Sequence, residues 1–439
     1  MITKIAWKNI WFRPLNTALS IILLTASVAI ITVLILLQEQ FEKNFNDNID
    51  GIDLVLGAQG SPLQLILSSV YQVDAPTGNI DYTEAKKWMK HPFVETAIPL
   101  AFGDNYRGYR IVGTTSDYLI KYGATIQSGK LFEKNFDVVV GSAIAKNLNI
   151  KVGDKFFGSH GDAEEGEVHD QHAYRVTGIA SATGKIVDNL VLSNIQSVWA
   201  MHDEHDHEAE GEDHEHEESA TAAHEEHDEH DHDHHEGEEA HEHHEGETHT
   251  DVAMTEEGKE ITAVLIKFRS KMGIVMWPRV IAQNTKMQAA SPAIEINRLF
   301  SLFGIGLQAL QYLAYGIMLI SGISIFIALY NTLKERKYEF ALLRVNGASR
   351  IQLLSLVLIE SLLLCITGYI FGTIVGRIAL AFISGSSEQE FKMTFNPFEF
   401  VWEKEGYLFL LTIFVGILAA VIPAFKAYRL NISKTLANA

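Results

Sequence analysis

Apolar positions in this chain are gathered into four long runs separated by stretches of mixed polarity. Thr17–Leu37 is twenty-one residues without a charge, Leu299–Tyr330 thirty-two and Tyr407–Phe425 nineteen, while Ile351–Gly376 holds a single acid, Glu360. About 20 apolar residues in a helix cross a bilayer core, and all four runs are near or above that length. The pattern predicts four transmembrane helices rather than the buried core helices of a soluble protein. The first run follows Lys4, Lys8 and Arg13, as a signal peptide would, but it is too long and ends in Gln38, Glu39 and Gln40 without a small-residue cleavage site. It reads as a retained anchor. The second run exceeds its bilayer: thirty-two helical residues reach about 48 Å against a core of about 30 Å, so its first part is expected to project as a stalk.

Between the first two runs, over 38–298, the pattern changes to that of a soluble mixed α/β domain. Tyr82–Lys90 and Ser142–Asn147 have helical character. Val94–Pro99, Tyr109–Gly113, Val138–Val140, Tyr174–Ile179 and Asn189–Leu192 read as strands, and Val152-Gly153-Asp154 as a turn. Glu260–Phe268 reads as one further strand returning to the same sheet. Residues 1–16 mix Ile2, Ile5, Trp7, Ile10, Trp11 and Phe12 with basic residues, which suits an interfacial helix ending at Pro14. The expected fold is an α-helical membrane protein with four transmembrane helices plus a mixed α/β extracytoplasmic domain between helices 1 and 2. The expected segments are helix 1 at 17–37, stalk and helix 2 at 299–330, a connecting loop at 331–350 and helix 3 at 351–383. A short loop at 384–405, helix 4 at 406–427 and a tail at 428–439 complete the chain.

Charge adds an orientation. Lys4, Lys8 and Arg13 precede helix 1; Lys334, Arg336, Lys337, Arg344 and Arg350 lie between helices 2 and 3; Lys426, Arg429 and Lys434 follow helix 4. By the positive-inside rule both termini and the 331–350 segment are cytoplasmic, in a multi-pass protein of the inner (plasma) membrane. The whole chain has 35 basic and 55 acidic residues and a net charge of −20, but residues 202–249 alone hold 22 acids and fifteen histidines with no Lys or Arg. Apart from that insert the protein is close to neutral, and no nucleic-acid partner is expected.

The insert's imidazoles and carboxylates suit zinc, and also nickel or copper. His202, His205 and His207, then His214 and His216, then His230, His232, His234 and His235, and His241, His243 and His244 are its candidate ligands, spaced so that several donors reach one ion. With no apolar residues to build a core, the segment is expected to be a disordered loop within the domain, binding metal at many exchangeable sites. The bland alternative is a solvated spacer. A single cysteine, Cys365, excludes an intrachain disulfide and reads as a small apolar residue of helix 3. Gly368, Gly372 and Gly376 form a small-residue ridge at spacing four on the same helix, where backbones can approach closely. Glu360 is an intramembrane acid, expected to make a helix-bundle contact rather than to line an ion path.

The segment 334–349 combines Glu335-Arg336, Glu339, Leu343-Arg344 and Gly347-Ala348-Ser349 ahead of Glu360. This run resembles the ATPase-coupling segment of FtsX-like ABC transporter permeases, the superfamily of the macrolide exporter and the lipoprotein-releasing permeases. Gly141-Ser142-Ala143-Ile144-Ala145-Lys146 through Lys151-Val152-Gly153-Asp154 is similar to the core motif of their exported domain, and the four-span topology agrees. The resemblance implies that Glu335, Arg336, Glu339, Arg344 and Gly347 meet a separate cytoplasmic ATPase, which binds the ATP. It further implies a permease homodimer surrounded by membrane lipid, and levers that carry ATP-driven motion to the exported domains and an extracytoplasmic partner protein there. No G-x-x-x-x-G-K-[ST] loop, G-x-S-x-G elbow or H-E-x-x-H motif occurs in the chain, so it is not expected to be an enzyme itself. Two other readings stay open: a zinc transport or handling component, and a non-transporting transmembrane signalling scaffold.

Overall fold

A computed structural model describes residues 14–159, 172–201, 256–390 and 395–430. The histidine-rich segment, the interfacial stretch 1–13 and the tail 431–439 lie outside these described residues. Helix α1, Pro14–Ile49, is 36 residues long. It continues about three turns past Leu37, so 38–49 is helix and not the start of the α/β domain. Aromatic packing explains the extension: Phe41 and Phe45 stack with centroids 4.7 Å apart, and both meet Phe300 edge-on, at 6.4 and 5.6 Å.

Residues 47–296 form a compact unit of their own. Its strands are β1 (Leu54–Ala58), β2 (Ile80–Asp81), β3 (Val94–Tyr106), β4 (Tyr109–Thr114), β5 (Ile126–Gly129) and β6 (Asp137–Val140). They continue with β7 (Lys155–Phe156), β8 (Tyr174–Ala180), β9 (Val191–Asn194), β10 (Glu260–Ile261), β11 (Ala263–Phe268) and β12 (Met287–Ala290). Helices α2 (Pro62–Ser69), α3 (Tyr82–Met89), α4 (Asp117–Tyr122), α5 (Ser142–Asn147) and α6 (Met272–Asn284) pack around them. The main sheet runs β12-β1-β11-β3-β4-β9-β6-β8-β5, with β7 on β8. Pairs β4–β9 and β6–β8 are parallel and the others antiparallel. Two apolar cores fill it. One gathers Leu54, Leu56, Val264, Ile266, Trp277 and Ile281; the other gathers Ile111, Val138, Val140, Ile144, Tyr174 and Val176.

Several boundaries differ from the sequence expectation. The strand from Val94 runs on through Pro99 to Tyr106 because Pro99 and its neighbours still pair with β11 and β4. Asn189 belongs to a single 3-10 turn, Ile186–Asn189, and the strand begins at Val191. Glu260–Phe268 is not one strand. It bends at Thr262, whose N–H donates to Leu100 O at 2.8 Å while its hydroxyl accepts the Phe102 N–H at 3.0 Å. Glu260–Ile261 then pairs with β2 in a separate small sheet, and Ala263–Phe268 enters the main one. The described flanks of the histidine-rich segment are tied together here, the Trp199 indole donating to Glu260 O at 2.7 Å.

The motif glycine Gly141 is explained by a close approach. A Cβ there would stand 2.3 Å from Asp188 O and 2.5 Å from Val187 O, so only glycine lets β6 turn into α5 against that 3-10 turn. The end of α1 is also locked into this unit. Asn48 Oδ1 accepts the Ile186 N–H at 3.0 Å, and the Asn48 carbonyl accepts from the Lys121 ammonium, a cation favourably placed at a helix carbonyl end. Burial first, and then repulsion from Lys185, brings the Lys121 ammonium down from the usual lysine range to about 7, with Asp50 opposing. Asp53 accepts the Phe268 N–H at 2.8 Å and the Lys271 ammonium at 2.7 Å.

Helices α7 (Pro292–Glu335), α8 (Lys337–Val345), α9 (Arg350–Glu390) and α10 (Trp402–Tyr428) complete the chain. Among the described residues, α1, α7, α9 and α10 are the four helices long and apolar enough to cross a membrane. At 44 residues α7 is about 66 Å long, twice a bilayer core. The connection at 331–350 is thus mostly helix rather than loop, and the 384–405 loop is shortened because α9 runs to Glu390. The bundle core takes Val28 and Ile31 from α1, Met318 and Ile325 from α7, Leu356 and Leu364 from α9, and Leu408 and Ala420 from α10.

Candidate functional site

The connector between α7 and α9 is built from capping chemistry. α7 ends at Glu335, and α8 starts after a break at Arg336, whose Nε donates to Glu339 Oε2 at 2.7 Å one turn on. α8 closes on Gly347 at φ +95°, a left-handed conformation that a residue with a Cβ adopts only under strain. The Ala348 N–H donates back to Leu343 O at 3.0 Å and the Gly347 N–H to Arg344 O at 3.2 Å, while the Arg344 guanidinium reaches forward to Ala348 O at 2.7 Å. α9 then opens with a reciprocal capping box. Gln352 N–H donates to Ser349 Oγ at 3.1 Å, and Ser349 N–H donates to Gln352 Oε1 at 2.7 Å.

Of the five residues named for ATPase coupling, Arg336 and Glu339 form an ion pair, Arg344 and Gly347 hold the C-terminal turn of α8, and Glu335 is exposed at the end of α7. The sequence reading missed the apolar surface between them. Phe340 and Ala341 are buried, with Phe340 in the bundle core, while Tyr338, Leu342 and Val345 point outward with 49 %, 41 % and 60 % exposure. Their spacing of four and three places them on one helical face, a pattern visible in the letters but obscured there by the charges. α8 is therefore fastened by one face and offers an apolar strip, flanked by charge, on the other.

The glycine ridge of α9 lies against α1. A Cβ at Gly368 would meet Leu24 Cδ2 at 2.6 Å; at Gly372, Val28 Cβ at 2.5 Å and Thr25 O at 3.0 Å; at Gly376, Ala29 O at 2.9 Å. These three glycines bring α9 into backbone contact with α1 over two turns. Cys365 is buried, and a Cβ on Gly416 of α10 would meet its Sγ at 2.2 Å. Glu360 is 5 % exposed inside the bundle, beside Ser361, whose hydroxyl donates to Gly416 O at 2.7 Å.

At the end of the bundle where the α/β unit is inserted in the sequence, α1 is clamped to the α9–α10 connection. Gln40 donates to Asn396 O at 2.9 Å and accepts the Asn396 N–H at 2.6 Å; Lys404 meets Glu39 at 2.6 Å and Lys43 meets Glu399 at 3.3 Å. Deeper lies an ion pair the sequence reading did not anticipate. Arg377 Nη2 donates to both oxygens of Glu405, at 2.7 and 2.8 Å, and its Nη1 donates to Pro397 O at 2.7 Å and Glu399 O at 2.8 Å. The twelve named histidines lie outside the described residues, and among the described residues no three His, Cys, Asp or Glu side chains gather as a metal would require.

The chain was compared with known proteins. Residues 312–432 match the family of the FtsX-like permease C-terminal, and residues 17–219 match the MacB-like periplasmic core domain. No curated protein matches. Among solved structures, the periplasmic region of MacB from Actinobacillus actinomycetemcomitans is similar at 10% identity and a TM-score of 0.33, over 58% of this chain and 97% of that one. The extracellular domain of the noncanonic ABC-type transporter YknZ from Gram-positive bacteria is similar at 10% identity and a TM-score of 0.29, over 54% of this chain and 99% of that one. One match lies on the first span and the larger part of the α/β unit, the other on the three later spans and their connector, beginning inside α7: the chain pairs a MacB-like periplasmic core domain with an FtsX-like permease C-terminal region.

Proposed function

We propose that this permease couples ATP hydrolysis in a separate cytoplasmic ATPase to movement of its extracytoplasmic α/β domain. The observation that carries this reading is α8, a short helix capped at both ends, anchored in the bundle by Phe340 and presenting Tyr338, Leu342 and Val345 outward. A partner seated on that strip pushes on α7 and α9 together. α7 leads without interruption from the connector to the C-terminal end of the α/β unit, and the glycine ridge joins α9 to α1, which enters the same unit at its N-terminal end, near Asn48. Both levers thus run from one ATPase surface to one domain. Basic residues around the connector and at both termini favour a cytoplasmic side for that surface, and the resemblance to exporter and releasing permeases favours a homodimer that moves a substrate outside the inner membrane. Val345→Asp and Arg344→Glu are expected to lower recovery of the ATPase in membrane pull-downs by at least roughly fivefold, the equivalent of about 1 kcal/mol, with permease levels unchanged. Full recovery with both variants rejects the docking assignment.

The fifteen histidines of 202–249 favour an accessory zinc function. In the exported domain they collect divalent metal at neutral pH and release it as the imidazoles protonate near their ordinary pKa of about 6.5. Titration with Zn2+ is expected to give several micromolar sites in the whole protein at pH 7.5. Those sites vanish at pH 5 and on deletion of 202–249. Equal binding with and without the segment refutes the assignment.

A further inference from the structure

The transmembrane bundle carries a groove that the coupling path does not use. Its mouth is a cavity of about 690 Å³ between α1, α7 and α10, with Gln38, Gln311, Glu403 and Lys404 around the opening and Ile31, Ile35 and Leu408 below. Tyr315, Tyr407 and Leu411 line both this cavity and a second one of about 590 Å³ that runs on between α7 and α10 past Met318, Phe326, Ala419 and Ile422. The second cavity contains no charged side chain. Its floor is closed, since a Cβ at Gly322 of α7 would stand 2.7 Å from Val415 of α10. From Gln311 to Phe326 the groove extends about 22 Å along α7, against about 15 Å for one leaflet of the hydrocarbon core. One polar end and one leaflet-deep apolar channel match the two ends of a single amphiphile.

The mouth also selects a charge. Lys404 is already committed to Glu39 at 2.6 Å. Glu403 forms no ion pair among the described residues, so the opening holds one uncompensated carboxylate beside the two glutamine amides. A head group carrying an amine complements it; an anionic head group is repelled. Going beyond the coupling function, we propose that this groove binds an amine-headed amphiphile, with one acyl chain between α7 and α10 and the cationic centre at Glu403.

The test is native mass spectrometry of the full chain released from vesicles of equal phosphatidylethanolamine and phosphatidylglycerol. The wild-type protein is expected to retain the amine lipid over the anionic one by roughly fivefold, the factor of an exposed ion pair of about 1 kcal/mol. Glu403→Gln, an exposed substitution that leaves the fold intact, removes that preference, and Ala419→Trp, which fills the channel, removes retained lipid of both kinds. Displacement of the retained lipid by dodecylamine at the same site extends the assignment from membrane lipids to free amphiphilic amines and also supports it. Retention at the bulk lipid ratio in wild type, or a preference unchanged in Glu403→Gln, overturns it. So does efficient disulfide crosslinking of two copies through Ile323→Cys in a Cys365→Ser background, which would make a second chain the occupant.

Discussion

Arg377→Ala is expected to destabilise the helix bundle by about 3–5 kcal/mol, the cost of stranding one partner of a buried ion pair. Glu405 is 1 % exposed and accepts two hydrogen bonds from the Arg377 guanidinium, with a longer one from the Val401 N–H at 3.4 Å. Removing the guanidinium leaves that carboxylate enclosed by α9, α10 and apolar side chains, and also frees the carbonyls of Pro397 and Glu399. Arg377→Lys recovers only part of the loss, because an ammonium on a flexible stem cannot span the carboxylate and two carbonyls as the planar fork does. Arg377→Met combined with Glu405→Leu is expected to be far milder than either half, since replacing both charges removes the desolvation problem together with the attraction. Denaturant titration in detergent micelles, read by tryptophan fluorescence, separates these outcomes. A loss below about 1 kcal/mol for Arg377→Ala would reduce the pair to the rank of an exposed salt bridge.

That ion pair also marks the limit of what the letters disclose. The four spans are legible because a charge-free run of bilayer length has few other structural meanings, and the α/β unit because its short apolar runs are punctuated by glycine and turns. The connector reads as a loop, which hid α8 and the Ser349–Gln352 capping box, but Gly347 as a helix end and 368-372-376 as a close-packed ridge were legible. Arg377 and Glu405 were not, because each sits at the edge of an apolar run, where charge is ordinary. Their partnership depends on two helices meeting 28 positions apart in sequence. The same holds for the bend at Thr262. Strand propensity runs evenly from Glu260 to Phe268, and only β2 on one side and β3 on the other decide that the two ends join different sheets. The helical extension of α1 past Leu37 turned on Phe300, a residue more than 250 positions away. In each case the missing information is a tertiary contact, not a local preference.

Gly372→Leu is expected to separate ATPase docking from transmission. Even the first carbon of a side chain at this position would stand 2.5 Å from Val28 Cβ and 3.0 Å from the Thr25 carbonyl, and the second of these is backbone that no rotamer change can move. Gly372→Ala therefore costs on the order of 1–3 kcal/mol as an overpacked contact, and leucine forces α9 away from α1. The connector lies far along α9 from this point: Ser349 to Gly372 is about 34 Å of helix. Its caps, its buried Phe340 and its exposed strip do not depend on the ridge. ATPase recovery in pull-downs is then expected to stay at wild-type level for Gly372→Leu, while stimulation of ATP turnover by the permease is lost. Val28→Ala supplies the control. It removes the Val28 Cγ1 methyl, 2.6 Å from where the new carbon would stand, while keeping the Cβ at 2.5 Å, and the Val28→Ala, Gly372→Ala double variant is expected to recover part of the stability lost in Gly372→Ala alone, with a coupling energy of at least about 0.5 kcal/mol. Additive losses in that cycle would mean that α1 and α9 do not bear on each other at this ridge, and the α1 arm of the proposed lever would fail with them.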